Sequence, residues 1–227
     1  MSTKKTAILI FDSFQNEKGS GKSFIASKNL YDKLTNAVLK KAALSGIDYY
    51  HIKEDLQVGS TFGKCFSNAL SSIYKKGYDN LITIGNDIPN LKVAHLIQAK
   101  KSLDSNSSVL GPTYDGGFYL LGLQKEYFNS FDFESFSWNT SKIASEVKTY
   151  IKQFTHQISI LNYLYDIDTF LDLKKVYTTL SVYKKELRDA LQKIIQTFIQ
   201  NIIFIETNKF QLLVTCIHNK GSPLSSL

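Results

Sequence analysis

The position best suited to chemistry in this sequence is a carboxylate that follows a short apolar run. In LITIGNDIPNL the run ends at Gly85, Asp87 comes two residues later, and Pro89 fixes the next turn. A carboxylate held on a rigid element suits magnesium, which takes one or two protein carboxylates together with substrate phosphates. The same pattern is typical of an aspartate that caps a helix or a turn. Asp87 is therefore a candidate metal ligand and catalytic residue, with capping as the alternative.

A second carboxylate lies in GPTYDGG, Gly111–Gly117. Gly111 and Pro112 are predicted to form a turn, and the two glycines after Asp115 let the backbone approach a ligand closely. A hairpin turn between two strands is the simpler alternative. Asp115 follows Asp87 by 28 positions (115 − 87), and one predicted helix and one predicted strand separate them. That spacing can return the chain to the same edge of a sheet, so the two aspartates could face one cleft.

Strands and helices alternate along the first half of the chain. Short apolar runs predict the strands, and apolar residues at helical spacing predict the amphipathic helices between them. This alternation indicates βαβ units with helices on both faces of a sheet, a three-layer α/β/α fold, in which ligands bind at the carboxyl ends of the strands. Strands are predicted over 6–11, 47–52, 80–84, 108–110 and 118–123, and helices over 29–45, 65–76, from 93 onwards, and over 141–154, 169–180 and 183–200. Residues 202–217 are predicted to form a β-hairpin.

Composition and charge limit the class of protein. The 227 residues are 43% hydrophobic and 21% charged, which is ordinary for a globular chain. No apolar run reaches the roughly 18 residues of a membrane span. No signal peptide or cysteine framework is recognised, so a cytoplasmic location is expected. The net charge of +7 is spread thinly over lysine pairs; it suits an anionic small molecule and gives no basic–aromatic pattern for nucleic acid. An exposed edge strand in the C-terminal hairpin would favour a homodimer.

Four stretches together resemble the bacterial DUF2064 family, whose members have a glycosyltransferase-A-like fold and are labelled nucleotide-diphospho-sugar transferases or glycosyltransferases. They are GNDIPNL, VLGPTYDGGFYLLGL, FSWNT and DIDTFLDL, and the resemblance covers roughly Ala7 to Leu173. Relatives of the fold include the molybdenum-cofactor and phospholactate guanylyltransferases. The resemblance implies one such domain with a mostly parallel sheet over residues 1–175, followed by a helical and β-hairpin extension over 176–227.

The resemblance also implies a magnesium site, with manganese as the alternative cation, that binds a nucleotide or nucleotide-sugar beside an unknown acceptor. Asp87 would bind the metal that bridges the diphosphate, and Asp115 would line the acceptor side as the second catalytic residue. The metal would neutralise charge on the leaving diphosphate. The implied nucleotide-binding residues are Lys22, Ser23, Gln57, Gly63 and Asn86, and the implied substrate-binding residues are Pro112, Gly116, Gly117, Trp138 and Asn139.

This chain departs from the family at two basic positions. Phe24 and Cys65 stand where the family carries arginines that face the phosphates. Lys64 compensates in part, although a lysine point charge does not replace the fork of an arginine. These losses leave open a diverged, non-catalytic binding module of the same fold.

The stretch GSGKS after the first strand also resembles a phosphate-binding P-loop. The Walker pattern requires a glycine where this chain has Asn16. A P-loop NTPase is therefore the least favoured interpretation.

Overall fold

The computed structural model describes residues 4–12, 28–155, 157–167, 170–180 and 185–218. They form a six-stranded sheet with helices packed on both faces. The strands are β1 (Thr6–Phe11), β2 (Asp48–Ile52), β3 (Asn80–Ile84), β4 (Ser108–Pro112), β5 (Phe118–Gln124) and β6 (Ile158–Ile160). The helices are α1 (Lys28–Leu44), α2 (Phe62–Tyr74), α3 (Val93–Asp104), α4 (Lys125–Phe128), α5 (Ile143–Phe154), α6 (Phe170–Thr179) and α7 (Lys185–His218), with a 3₁₀ turn at Glu54–Leu56.

The sheet has the order β2-β1-β3-β5-β4-β6 and is mostly parallel, as predicted. β1 pairs in parallel with β2 and β3, and β4 pairs in parallel with β6. β5 alone among these strands runs against its neighbours β3 and β4, because a short loop of residues 113–117 turns the chain straight back after β4. The amino end of β5 therefore lies at the same edge of the sheet as the carboxyl ends of β3 and β4.

Alternation along β1 shows how the sheet is sandwiched between helical layers. Ala7 and Leu9 belong to one buried cluster, which includes residues of α2 and α5. Ile8 and Ile10 belong to a second cluster on the opposite face, which includes residues of α1 and α3. Every residue of the strand is buried, as expected for a central strand of a sheet covered on both faces. The predicted three-layer α/β/α fold is confirmed.

A third apolar cluster joins the C-terminal helices to the rest of the molecule. Leu30 and Leu34 of α1 pack with Leu173 of α6 and with Leu187 and Leu191 of α7. The domain boundary predicted after residue 175 falls inside α6, and the division into a domain and an extension stays a prediction.

The β-hairpin predicted over residues 202–217 is wrong, because these residues lie in α7. The stretch contains no glycine and no proline, so nothing forces the reversal that a hairpin needs. A helix already formed from Lys185 onwards gains one hydrogen bond for each residue added, and this outweighs the modest strand preference of isoleucine and threonine. The edge strand on which the homodimer prediction rested is therefore absent from this segment.

Among the described helices, none has both the length and the apolar character that crossing a bilayer requires.

Candidate active site at the carboxyl edge of the sheet

The register of β3 and β5 brings the two predicted aspartates to one edge of the sheet. Ile84, the last residue of β3, pairs with Leu120 of β5, and the N–H of Gly85 donates a hydrogen bond to the carbonyl of Tyr119 at 3.3 Å. Asp87 therefore lies just beyond the carboxyl end of β3, next to the start of β5. Asp115 precedes the first residue of β5, Phe118, by three positions. Asp87 is half-buried and Asp115 is exposed. The predicted return of the chain to one edge is confirmed, while the chemical roles of both residues stay predictions.

The loop that carries Asp115 is fixed by its own hydrogen bonds. The Oδ1 atom of Asp115 accepts from the hydroxyl of Thr113 and from the N–H of Gly117, the latter at 3.0 Å. The N–H of Thr113 in turn donates to the carbonyl of Gly117 at 2.9 Å. Among the described residues both hydrogen bonds go to Oδ1, so Oδ2 is the oxygen that remains for a ligand. The hairpin turn and the functional site considered for this loop are thus compatible.

Gly116 has a structural reason to be glycine. Its φ is +97°, and a Cβ atom at this position would lie 2.0 Å from the carbonyl oxygen of Ser141. The carbonyl of Gly116 also accepts a hydrogen bond from the N–H of Ala144 in α5 at 3.0 Å. The close approach that this glycine permits is with the protein's own backbone, which locks the loop against the start of α5.

Two predicted binding residues are buried and act on the backbone that carries the aspartates. Asn86 is 2% exposed, and its Nδ2 donates to the hydroxyl of Thr35 in α1 at 3.1 Å. Pro112 is buried at the end of β4, where its carbonyl accepts from the N–H of Leu164 at 3.2 Å. The turn predicted at Gly111 and Pro112 is wrong, because both residues lie in β4 beside a bulge.

Trp138 and Gly63 pack against each other. The indole N–H of Trp138 donates to the carbonyl of Phe133 at 2.6 Å, and its ring lies 4.7 Å from that of Phe62 between centroids. A Cβ on Gly63 would lie 2.6 Å from the Trp138 Nε1 atom, so glycine is required for this contact. Asn139, the next residue, is exposed with a φ of +58°. The structure gives Trp138 and Gly63 a packing function, and their predicted roles in binding stay predictions.

Gln57 is fixed at the carboxyl edge of β1. Its Nε2 donates to the carbonyl of Asp12 at 2.9 Å. Because a carbonyl can only accept, the amide nitrogen must face it, and the Oε1 atom is left buried without a hydrogen-bond partner among the described residues. Lys22 and Ser23, together with the Walker-like stretch that contains them, lie outside the described residues.

An imidazole–carboxylate pair, Asp12 and His51, was not predicted from the sequence. Nε2 of His51 lies 2.8 Å from Oδ1 of Asp12, with 15% of the histidine and 17% of the aspartate side chain exposed. Burial raises the pKa of the Asp12 carboxyl, and the hydrogen bond from His51 offsets part of that rise. Asp12 directly follows β1, His51 is the second-to-last residue of β2, and the two strands are parallel neighbours.

Two neighbouring residues in the first turn of α2, Lys64 and Cys65, bear on the predicted loss of positive charge. Cys65 is 2% exposed inside α2 and is a free thiol, so it places no charge at the position of the family's arginine. The ammonium of Lys64 lies 2.9 Å from a carboxylate oxygen of Glu134. The compensation expected from Lys64 is therefore weakened, because its charge is already paired.

The donor set fits a cation held mainly by its substrate. Within the described ranges no three His, Cys, Asp or Glu side chains cluster closely enough to hold a metal by themselves. Magnesium does not need such a cage, since it keeps several waters and binds through one or two carboxylates and the substrate's phosphates. Asp87 follows the carboxyl end of β3, and Asp115 lies in the loop before the neighbouring strand β5. Of the two, Asp87 is the residue that would hold the cation.

Comparisons with known proteins agree with the resemblance seen in the sequence. Residues 31–140 match the family described as "Uncharacterized protein conserved in bacteria (DUF2064)", a narrower range than the predicted 7–173. A comparison with curated proteins gives no match.

Three solved structures are similar to this chain to different degrees. A "putative nucleotide-diphospho-sugar transferase" from Desulfovibrio desulfuricans G20 is 20% identical, with a TM-score of 0.70, over 86% of this chain and 98% of that one. The 4-diphosphocytidyl-2C-methyl-D-erythritol synthase from Anaerococcus prevotii DSM 20548 is 11% identical, with a TM-score of 0.46, over 84% of this chain and 97% of that one. The Rv0371c protein of Mycobacterium tuberculosis H37Rv, in complex with manganese, is 10% identical, with a TM-score of 0.44, over 78% of this chain and all 100% of that one. The first of these similarities supports the fold. Over residues 31–140 the chain thus carries the DUF2064 pattern, on the glycosyltransferase-A-like fold that the sequence predicted.

Proposed function

We propose that this protein is a transferase that uses a nucleoside-diphosphate sugar or a nucleoside triphosphate, with a magnesium or manganese ion held by Asp87. The observation that carries the proposal is the register that brings Asp87 and the Asp115 loop to one edge of the sheet. In open α/β sheets this edge is where ligands bind. Both aspartates are held by short, hydrogen-bonded or buried turns, as a site that must position phosphate groups requires.

Each side of the proposed site has its own residues. The cation would neutralise charge on the leaving diphosphate. Asp115 lies on the side of the sheet formed by β4 and β5, and its Oδ2 would accept a hydrogen bond from the acceptor. The proposed nucleotide side consists of Lys22, Ser23, Gln57, Gly63 and Asn86, and the proposed acceptor side of Pro112, Gly116, Gly117, Trp138 and Asn139.

A second candidate is a binding module that keeps the fold without turnover. It is favoured by one observation: the buried thiol of Cys65 occupies a position where the family has an arginine, and the neighbouring Lys64 is already paired with Glu134. Phosphoryl and glycosyl transfer both depend on stabilising charge that develops on the phosphates. A site with fewer cations could still bind a metal–nucleotide complex and leave it unreacted.

Calorimetric titration tests the proposed site. Nucleoside diphosphates, nucleotide-sugars and nucleoside triphosphates are titrated with and without magnesium into wild-type protein and Asp87→Asn. We expect binding of one base class that requires magnesium and is at least about tenfold weaker in Asp87→Asn, since a lost charged ligand is worth more than about 1.4 kcal/mol. The matched control is Asp104→Asn, because Asp104 pairs with Lys100 at the far end of α3. Binding indifferent to magnesium and to Asp87 would contradict the proposal.

Turnover separates the two candidates. Release of nucleoside diphosphate from a bound nucleotide-sugar, or of pyrophosphate from a bound triphosphate, is measured with the ligand that the titration identifies. Release that Asp87→Asn abolishes supports the transferase. Tight, metal-dependent binding without release, tested over a panel of acceptors, supports the binding module.

A further inference from the structure

Three tyrosines, two exposed and one half-buried, form an aromatic platform at the loop of Asp115. The rings of Tyr114 and Tyr165 are stacked, with centroids 4.3 Å apart and planes 22° apart. The ring centroid of Tyr163, two positions before Tyr165, lies 5.5 Å from that of Tyr114. Tyr114 is 60% exposed and Tyr163 is 53% exposed. We call these three residues the tyrosine platform.

The platform is built on a rigid backbone. The two backbone segments that follow β4 and β6 stay paired beyond the ends of these strands, because Thr113 forms a parallel bridge with Leu164. The N–H of Tyr114 donates to the carbonyl of Leu164 at 3.2 Å, and the N–H of Leu164 donates to the carbonyl of Pro112 at 3.2 Å. The backbone that bears these rings is therefore held by the same hydrogen bonds that hold the loop of Asp115.

The strand order separates the platform from the proposed nucleotide side. Gln57 and Asp87 follow β2 and β3, which lie on one half of the sheet, whereas the platform follows β4 and β6 at the other end. Asp115 lies between the two halves, directly after Tyr114. A ligand on the platform would thus reach Asp115 from the side opposite the nucleotide, which is the side an acceptor must occupy.

Exposed, stacked phenol rings match the chemistry of a sugar. A pyranose presents a face of C–H groups that packs on an aromatic ring, and its hydroxyls can pair with phenol and carboxylate oxygens at the rim. The ammonium of Lys175 lies 5.7 Å from the centroid of the Tyr165 ring and 3.6 Å from a carboxylate oxygen of Asp172, so an ion pair borders the platform. A nucleobase would also stack on such rings, but the proposed nucleotide side lies on the other half of the sheet.

From this geometry we infer that the tyrosine platform binds the acceptor, and that the acceptor carries a pyranose ring. The inference deepens the proposed function and rests on it for the word acceptor. Binding of the sugar itself depends only on the platform and requires neither metal nor nucleotide.

Saturation-transfer NMR tests the inference without any turnover. The probes are methyl glycosides of glucose, galactose, mannose and N-acetylglucosamine, with uridine and cytidine added as competitors, and neither metal nor nucleotide is present. We expect transfer to the ring protons of at least one glycoside, and an affinity about tenfold weaker in Tyr114→Ala, the size of one lost stacking contact. Tyr114→Phe keeps the ring and should keep binding, and Tyr49→Ala is the control, because Tyr49 is an exposed tyrosine of β2 at the opposite end of the sheet.

The outcomes distinguish this inference from the proposed function. It is overturned if no glycoside shows transfer, if Tyr114→Ala binds as well as wild type, or if a nucleoside displaces the sugar from the platform. A glycoside that binds through Tyr114 in a protein that binds no metal–nucleotide would keep the platform as a sugar site and remove the transferase.

Discussion

Replacing Gly116 with alanine should destabilise the protein strongly. A φ of +97° is costly for any residue with a Cβ, at about 1–3 kcal/mol. The new Cβ would also lie 2.0 Å from the Ser141 carbonyl oxygen, which belongs to the backbone and cannot swing aside. Such overpacking costs about 1–3 kcal/mol more. We expect Gly116→Ala to lower the free energy of unfolding by roughly 2–6 kcal/mol in total.

Gly77→Ala is a matched control for this prediction. Gly77 has a φ of +94°, yet a Cβ at this position would meet no atom within 4 Å. Both replacements also remove a glycine from the unfolded chain, so that contribution cancels between them. The difference between the variants should then isolate the contact with Ser141, at about 1–3 kcal/mol.

Urea unfolding followed by circular dichroism measures both variants, and the midpoints are compared at equal slope. If Gly116→Ala and Gly77→Ala agree within about 0.5 kcal/mol, near the limit at which such differences are resolved, the loop of Asp115 is not locked against α5.

Three further substitutions test other parts of the edge. His51→Leu should raise the pKa of Asp12 further above its ordinary value, as carboxyl NMR titration would show. A carboxyl whose folded-state pKa is raised loses stability as pH rises past its unfolded-state pKa of about 4, so the deficit in unfolding free energy should widen as pH rises above that value. A deficit that stays constant with pH would contradict this. The hydrogen bond from the Ser137 N–H lowers the pKa of Glu146 below its ordinary 4.5. The stabilisation from this bond is therefore present above that pH and lost on acidification. In Glu146→Gln the urea midpoint should fall less steeply on acidification than in wild type, and an equally steep fall would contradict this. Asn86→Ala should cost about 1 kcal/mol of unfolding free energy, because it removes a buried hydrogen bond to α1. It should also weaken metal–nucleotide binding, because it displaces the turn before Asp87. Unchanged binding would show that the position of this turn does not affect the site.

The sequence was sufficient to predict the fold and the edge that carries the two aspartates. Asp87 and Asp115 each lie just outside an apolar strand, and the number of elements between them allowed only a few ways to bring them together. The antiparallel direction of β5 agrees with the hairpin turn that was the alternative for GPTYDGG. These features depend on local pattern and on general rules of chain connection, so they can be read before any tertiary contact is known.

Other features depend on contacts between distant segments and could not be read from the pattern. The pairing of Asp12 with His51 requires that Ile10 and His51 share a register across two strands. Gly116 lies against the backbone of Ser141, which is 25 positions later (141 − 116). Neither stretch of sequence contains a pattern that predicts this contact. The failure over the C-terminal residues has a different cause, because isoleucine-rich sequence fits a strand and a helix, and only the absence of a forced turn distinguishes them.

In the proposed function, Asp87 holds the cation of a metal–nucleotide complex at the carboxyl edge of the sheet. Crystals grown with manganese and the nucleotide identified by titration, measured at the manganese absorption edge, test it most directly. We expect one anomalous peak between the phosphates and a carboxylate oxygen of Asp87, and no such peak in crystals of Asp87→Asn grown alongside. A bound nucleotide whose manganese is held without Asp87, or a nucleotide bound away from this edge, would contradict it.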